Sequence, residues 1–133
     1  ELLMTWTLHS LLELLQQQDD LTVSTEGDAL LLTNEDGIDA IMTVNGDQII
    51  VESLLSPTAK VKDVIAFNDL MLRTHKQLFP LTAMAITRID GEDYYAAFGS
   101  LSSQSKEESV LVEISLLFQN VEGMLEFYEE QIG

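Results

Sequence analysis

The sequence has no cysteine, which removes disulfides, thiolate metal sites and a cysteine nucleophile together. Basic residues are almost as scarce: six Lys and Arg stand against 23 Asp and Glu in 133 residues, a formal net charge of −17. Binding to phosphate backbones or anionic lipid draws on clustered Lys and Arg, so neither nucleic acid nor direct membrane contact is expected. A well-solvated surface is the simplest use of the acidity, with basic partners as the alternative. No apolar run reaches the roughly 20 residues that cross a bilayer. The Leu-rich start, Leu2 to Leu15, is broken by His9, Ser10 and Glu13 and has no basic flank, so it reads as neither signal peptide nor membrane span. A cytoplasmic protein is the expectation. Met4-Thr5-Trp6 reads as a natural start, which makes Glu1, Leu2 and Leu3 an expected cloning remnant and residues 4–133 one domain.

What the chain does have is a hydrophobic fraction of 46%. That is enough for one core, and at this length one domain is the default. Leu8, Leu11, Leu12 and Leu15 recur at helical spacing, with Thr5 or Thr7 as N-cap and Asp19-Asp20 as the stop. Short runs then alternate with turn residues: Leu21–Thr25, Ala29–Thr33, Ile38–Val44 and Gln48–Leu54. Asn45-Gly46 is a strong two-residue hairpin signal, because both central positions of a type I′ turn need positive φ. After Ser56-Pro57, the spacing of Val61, Val64, Ile65, Met71, Leu72, Leu78 and Phe79 predicts a middle helix that ends at Pro80. Thr82–Ile89 and Glu92–Phe98 flank Asp90-Gly91 as a second hairpin, Gly99–Ser105 reads as a polar loop, and Lys106–Ile132 reads as one long closing helix. The fold class is therefore α+β: helix, antiparallel strand meander, helix, β-hairpin, helix, with the helices on one face of the sheet.

This order resembles the type III secretion chaperone-like fold, most clearly in the meander from Leu21 to Leu55, the middle helix from Val64 to Leu72 and the hairpin from Met84 to Phe98. Met4-Thr5-Trp6-Thr7-Leu8 through Gln18, together with Arg73-Thr74-His75-Lys76-Gln77-Leu78-Phe79-Pro80-Leu81, resembles the bacterial YjfI family. That family carries a domain of unknown function, so the resemblance brings no activity. It implies a protein partner, because genes of this family tend to lie near those for phage-shock-protein-A-like membrane-remodelling proteins. The chaperone-like fold implies a homodimer that binds an extended segment of a client.

Candidate chemistry is thin. His9 and His75 are the only histidines, and neither stands in a metal-binding pair or an HExxH motif. His75 and Asn68 lie two helical turns apart within the predicted apolar stripe, which marks a polar site under the sheet or a hydrogen-bonded pair in the core. Asp36 and Asp39 around Gly37, and Asp90, Glu92 and Asp93 around Gly91, lack the ligand spacing of a calcium loop and are explained as turn residues. The serines at 100, 102, 103 and 105 lack a nucleophile elbow, and Ser105 with Glu108 has capping-box spacing. No catalytic residue, metal site or cofactor is expected. Lys62, Arg73 and Lys76 gather on the outer side of the middle helix, where Asp69 pairs with Arg73 at i, i+4.

The closing helix is the informative element. Val110, Ile114, Leu117, Val121, Met124, Leu125, Tyr128 and Ile132 form a core stripe, while Val112, Leu116, Gly123 and Phe127 form a second, narrower apolar strip. One buried face does not require a second. Gly123 costs about 1 kcal/mol against alanine in a helix interior, which close approach of another backbone offsets. The strip is expected either to bind a client or a second copy, or to be covered by the first helix, with a kink at Gly123 as a further internal explanation. The leading expectation is a non-enzymatic chaperone-like or adaptor-like module. Its rivals are a small-molecule-binding or hydrolytic domain that uses a carboxylate cluster with His75, and an acidic domain that masks a basic surface.

Overall fold

Thr7 starts the first helix by a reciprocal cap: its hydroxyl accepts the Ser10 N–H at 3.1 Å, and the Ser10 hydroxyl accepts the Thr7 N–H at 2.9 Å. This satisfies donors that a free helix end leaves open. In the computed structural model, which describes residues 5–132, this helix (α1) runs Leu8–Gln16 and buries Leu11, Leu14 and Leu15. The reading of Glu1–Leu3 as a remnant before Met4 lies outside the described residues.

Four strands follow as a meander: β1 Leu21–Glu26, β2 Ala29–Asn34, β3 Asp39–Asn45 and β4 Gln48–Pro57. A 3₁₀ turn at Thr58–Lys60 leads to α2, Val64–Leu78, capped by the Asp63 carboxylate on the Ala66 N–H at 3.0 Å. The second hairpin is β5 Ala83–Ile89 and β6 Glu92–Ser102, and the chain closes with α3 Glu107–Phe127 and a short α4 Glu129–Ile132. All strand pairs are antiparallel, in the order β1-β2-β3-β4-β6-β5. β6 inserts beside β4, with Val51 opposite Gly99 and Ser53 opposite Ala97.

Alternation along the strands sends one set of side chains to the helices. Leu30, Leu32, Ala40, Met42, Ile49, Val51, Met84, Tyr95 and Ala97 join Leu11, Leu15, Phe67, Met71, Val110, Leu117, Val121, Met124 and Tyr128 in one core. Phe67 of α2 meets Tyr95 edge-on at 4.7 Å and Tyr128 at 5.3 Å, which places α2 on the same face as α3. The expected architecture, a single α+β domain of type III secretion chaperone-like pattern with its helices on one face, is the one observed. Among the described residues no helix is long and apolar enough to cross a membrane.

Several local expectations are corrected. In the first two-residue hairpin turn after β3, Asn45 pairs with Gln48, so Gly46 and Asp47 are central and only Gly46 has positive φ (60°). That is the type II′ pattern; the type I′ turn is at Asp90-Gly91, with φ of 51° and 82°. The polar stretch Gly99–Ser102 is strand, because β4 continues far enough to pair with it. Ser105 does not cap α3: the N-cap is Lys106, without a side-chain hydrogen bond, and the Ser105 carbonyl instead accepts the Trp6 indole N–H at 2.6 Å. The closing helix breaks at Tyr128, whose ring is buried in the core.

The expected apolar stripe of α2 is right in part: Met71 is buried, as are Val61 before the helix and Phe79 at its end. Ile65 is 83% and Leu72 67% exposed, with Val64 and Leu78 also outward, while Phe67 and Met71 are buried. Phe67 and Leu70, which the expected stripe omits, complete the inward face at the i, i+3, i+4 spacing with Met71.

Candidate interaction surface

Around Pro80 the chain turns back onto α3. Asn120, buried on α3, donates from Nδ2 to the Pro80 carbonyl at 3.0 Å and to the Thr82 hydroxyl at 2.7 Å. These bonds clamp both sides of Leu81, which adopts a left-handed backbone with φ of 71° and is 72% exposed. A leucine in that region costs about 1–2 kcal/mol, because its Cβ crowds the following carbonyl. The fold thus holds a strained turn that sends a large apolar side chain outward.

Beside Leu81 lies the strip expected on the closing helix. Val112, 54% exposed, and half-buried Leu116 line a shallow groove of about 300 Å³ with Leu81, Leu101, Glu108 and Glu113. Phe127, 49% exposed, lines a second groove of about 260 Å³ with Leu78, Phe79, Gly123 and Glu126. The strip is therefore in two parts, with Asn120 and the Pro80–Thr82 turn bonded to it lying between Leu116 and Gly123 along α3. A Cβ on Gly123 would meet Phe79 Cε1 at 2.9 Å, so the close approach at this glycine is made by an aromatic ring rather than by another backbone. Phe79 and Phe127 sit edge-on with centroids 6.2 Å apart. α1 packs on β1 and β2 and does not cover the strip.

His75 and Asn68 each take a separate partner. His75 Nδ1 lies 2.8 Å from the Met71 carbonyl, and the Asn68 carbonyl oxygen accepts the Tyr95 hydroxyl. Burial pushes the Tyr95 phenol pKa up. His75 also lines a cavity of about 360 Å³ with Lys76, Phe79, Leu81, Phe98, Ser100 and Glu113. There Glu113 presses its Oε2 against Gly99, so closely that any Cβ at 99 would collide, and this oxygen has no hydrogen-bond partner. Burial pushes the Glu113 carboxyl pKa up. Among the described residues no group of three or more His, Asp or Glu is placed to hold a metal. Arg73 pairs with Asp69 at 2.9 Å as anticipated, whereas Lys62 lies before α2 begins.

Leu81, Leu101 and Asn120 were not singled out by sequence reasoning, and Phe79 was named only for the spacing of the middle helix. The available signal was Leu81 itself, an apolar residue in a turn directly after proline, where polar residues or glycine are usual.

Comparisons with known proteins agree with this architecture. A family profile described as "Uncharacterized protein conserved in bacteria (DUF2170)" matches residues 5–132. The chain is 30% identical over 131 residues to "Uncharacterized protein YjfI" of Escherichia coli K12, covering 96% of this chain and 98% of that protein, and equally so to its counterpart in strain O157:H7. Among solved structures it is similar to a chain of the ExsC-ExsE complex, with a TM-score of 0.62, 9% identity, and coverage of 90% of this chain and 93% of that one. It is also similar to YbjN of E. coli, with a TM-score of 0.62, 17% identity, and coverage of 95% and 90%. At these identities the structural likeness speaks for the fold.

Proposed function

We propose that this chain, which belongs to the DUF2170 family, is a non-enzymatic protein-interaction module of the cytoplasm that binds a protein client through the apolar surface beside its C-terminal helix. The observation that carries this reading is Leu81: a strained, doubly clamped turn exposes a leucine between the two halves of the strip. Backbone strain of this kind persists only where surrounding structure enforces it, and it is concentrated at functional sites. Val112, Leu116, Gly123 and Phe127 supply the neighbouring apolar ground, in two shallow grooves suited to successive side chains of an extended segment. That the ExsC chaperone-like architecture occurs in a two-protein complex supports the same use. A phage-shock-protein-A-like protein is the proposed client to try first.

Charge bears on the occupant. A second copy would bring another 17 net negative charges to the contact, which opposes self-association unless the apolar area outweighs it. The homodimer is therefore an outcome to be measured. Wild type and a Val112→Asp, Phe127→Asp variant, both shown folded by circular dichroism, are compared by light scattering and by differential capture of proteins from a bacterial host that carries the gene. A defined protein retained by wild type and lost from the folded variant supports client binding. A wild-type dimer that the variant converts to monomer makes the strip a self-interface, and identical behaviour of both proteins overturns the proposal.

The competing reading, a small-molecule or hydrolytic site, is favoured by one observation: His75 and Glu113 line the same cavity. Neither is held in hydrogen-bond contact with the other, and among the described residues the His75 ring bonds to the Met71 carbonyl of its own helix. It predicts ligand-induced shifts of the His75 ring protons, which a client-binding module does not require.

A further inference from the structure

The sheet has a second face. Counting along the register from Leu30, Met42 and Val51, which enter the core, the alternate residues Leu31, Ile41, Glu52, Phe98 and Ala83 stand in one row across five strands on the opposite side. Ile50 and Leu54 flank Glu52 along β4, and Leu54, Ala96 and Ala85 form the next row. Every described helix that contacts the sheet packs on the other side, through the core residues named above. Ile41 and Leu54 are exposed, and Leu31, Ile50 and Phe98 are half-buried. Ala96 is fully buried although it lies outside the core cluster, so the apolar ground on this face is continuous enough to shield it.

The charge on this face has one sign. Its strand residues include Glu26, Asp39, Glu52 and Glu92 and no Lys or Arg. Of the six cations in the chain, Lys60, Lys62, Arg73, Lys76 and Lys106 are off the strands, and Arg88 shares the side of Tyr95 and pairs with Asp93 at 3.0 Å. Asp39 and Glu92 are engaged, by the Thr33 hydroxyl at 2.7 Å and the Tyr94 hydroxyl at 2.9 Å. Glu52, in the middle of the apolar row, is in none of the ion pairs among the described residues. Partial burial without a cation pushes its carboxyl pKa up.

We propose that this helix-free sheet face is a docking site, separate from the α3 strip, for a cationic amphipathic helix of a partner protein, with Glu52 meeting a Lys or Arg at the centre of the contact. Charge complementarity selects the occupant: a second copy or an anionic lipid surface would set negative charge against Glu26, Asp39, Glu52 and Glu92. The dimensions suit a helix. Five strands span about 19 Å at 4.8 Å spacing, the length of about 13 helical residues. The small residues Ala83, Ala85 and Ala96 give the close approach that Gly99 gives to α3 on the other side.

The test is titration of the full chain, labelled with ¹⁵N, with a 14-residue helix of Leu and Lys, and in parallel with the same pattern made of Leu and Glu. At about 0.3 M salt, where diffuse attraction is screened, the Lys peptide is expected to shift the amides of Ile41, Glu52, Leu54 and Phe98, and the Glu peptide is not. Glu52→Gln is expected to weaken the Lys peptide about fivefold, the scale of one partly buried ion pair. Ile41→Ser with Leu54→Ser is expected to weaken it further, and unchanged dispersion in the amide spectrum shows that these variants are folded. Shifts spread over the whole acidic surface that vanish with salt, shifts confined to the α3 strip, or an unchanged affinity in Glu52→Gln would each overturn the proposal. Apart from shifts at the α3 strip, which would seat the peptide there, none of these outcomes bears on client binding at Val112 and Phe127.

Discussion

Two apolar faces run along α3, and they meet different neighbours. On one, Val110, Ile114, Leu117, Val121 and Met124 lie against the sheet and are closed off from water. On the other, Val112, Leu116 and Phe127 meet the end of α2, the turn from Phe79 to Thr82 and Leu101, and two of the three stay about half exposed. Residue type does not separate the faces; the neighbours do. The first face is spent on folding, while the second is stabilised by little and left available to something outside the chain.

The difference should be plainest in truncations. Leu117→Ala is expected to destabilise the fold by about 3 kcal/mol or more, because a sealed core cannot refill the space. Val112→Ala should fall within about 0.5 kcal/mol of wild type, as for an exposed position. Urea unfolding of both variants checks this, and similar losses would erase the distinction between the faces.

Gly123 lines the Phe127 groove of the second face, under the Phe79 ring. Relieving a helical glycine normally gains about 1 kcal/mol, but here a Cβ would press on Phe79. Gly123→Ala is expected to lower stability, and Phe79→Leu in the same chain to recover part of the loss. A stabilising Gly123→Ala would mean that the ring yields freely. At Leu81 the sign reverses: Leu81→Gly removes left-handed strain from an exposed residue, so stability should be unchanged or rise by up to about 1 kcal/mol while client binding falls. Thermal melts together with binding measure both halves of that trade.

The smallest effect concerns Glu113 at the edge of the strip. Its carboxyl pKa is raised in the fold, against about 4.3 in an unfolded chain. The folded state therefore holds the proton more readily, and this contribution is present at acid pH and lost as pH rises through the raised value. Glu113→Gln should accordingly be more stable than wild type at pH 7, with the gap closing as pH falls toward about 4. Urea midpoints at the two pH values test the sign.

Much of this architecture was legible beforehand. Turn pairs such as Gly27-Asp28 and Asp90-Gly91 punctuate the strands, and the Leu repeats of α1 and the stripe Val110 to Tyr128 mark their helices without tertiary help. What was not legible depended on partners distant in sequence. Gly99–Ser102 looks like loop until β4 supplies hydrogen bonds for it. α2 has apolar residues on several sides, so periodicity alone did not show that Phe67, rather than Ile65 and Leu72, joins Met71 on the buried face and meets Tyr95. Of the proposed site, Val112, Leu116, Gly123 and Phe127 were suggested by spacing on one helix, whereas Leu81 and Asn120 needed the return of a turn 38 residues away onto α3.

The most direct test places a photo-crosslinking phenylalanine analogue at Phe127 in living cells, with the same group at Asp28 in the exposed β1–β2 turn, off both proposed surfaces, as control. A protein adduct of defined mass is expected at 127 that is absent at 28 and disappears when Val112→Asp is added. Adducts of equal yield at both positions, or none at 127 in cells that produce the folded protein, would contradict it.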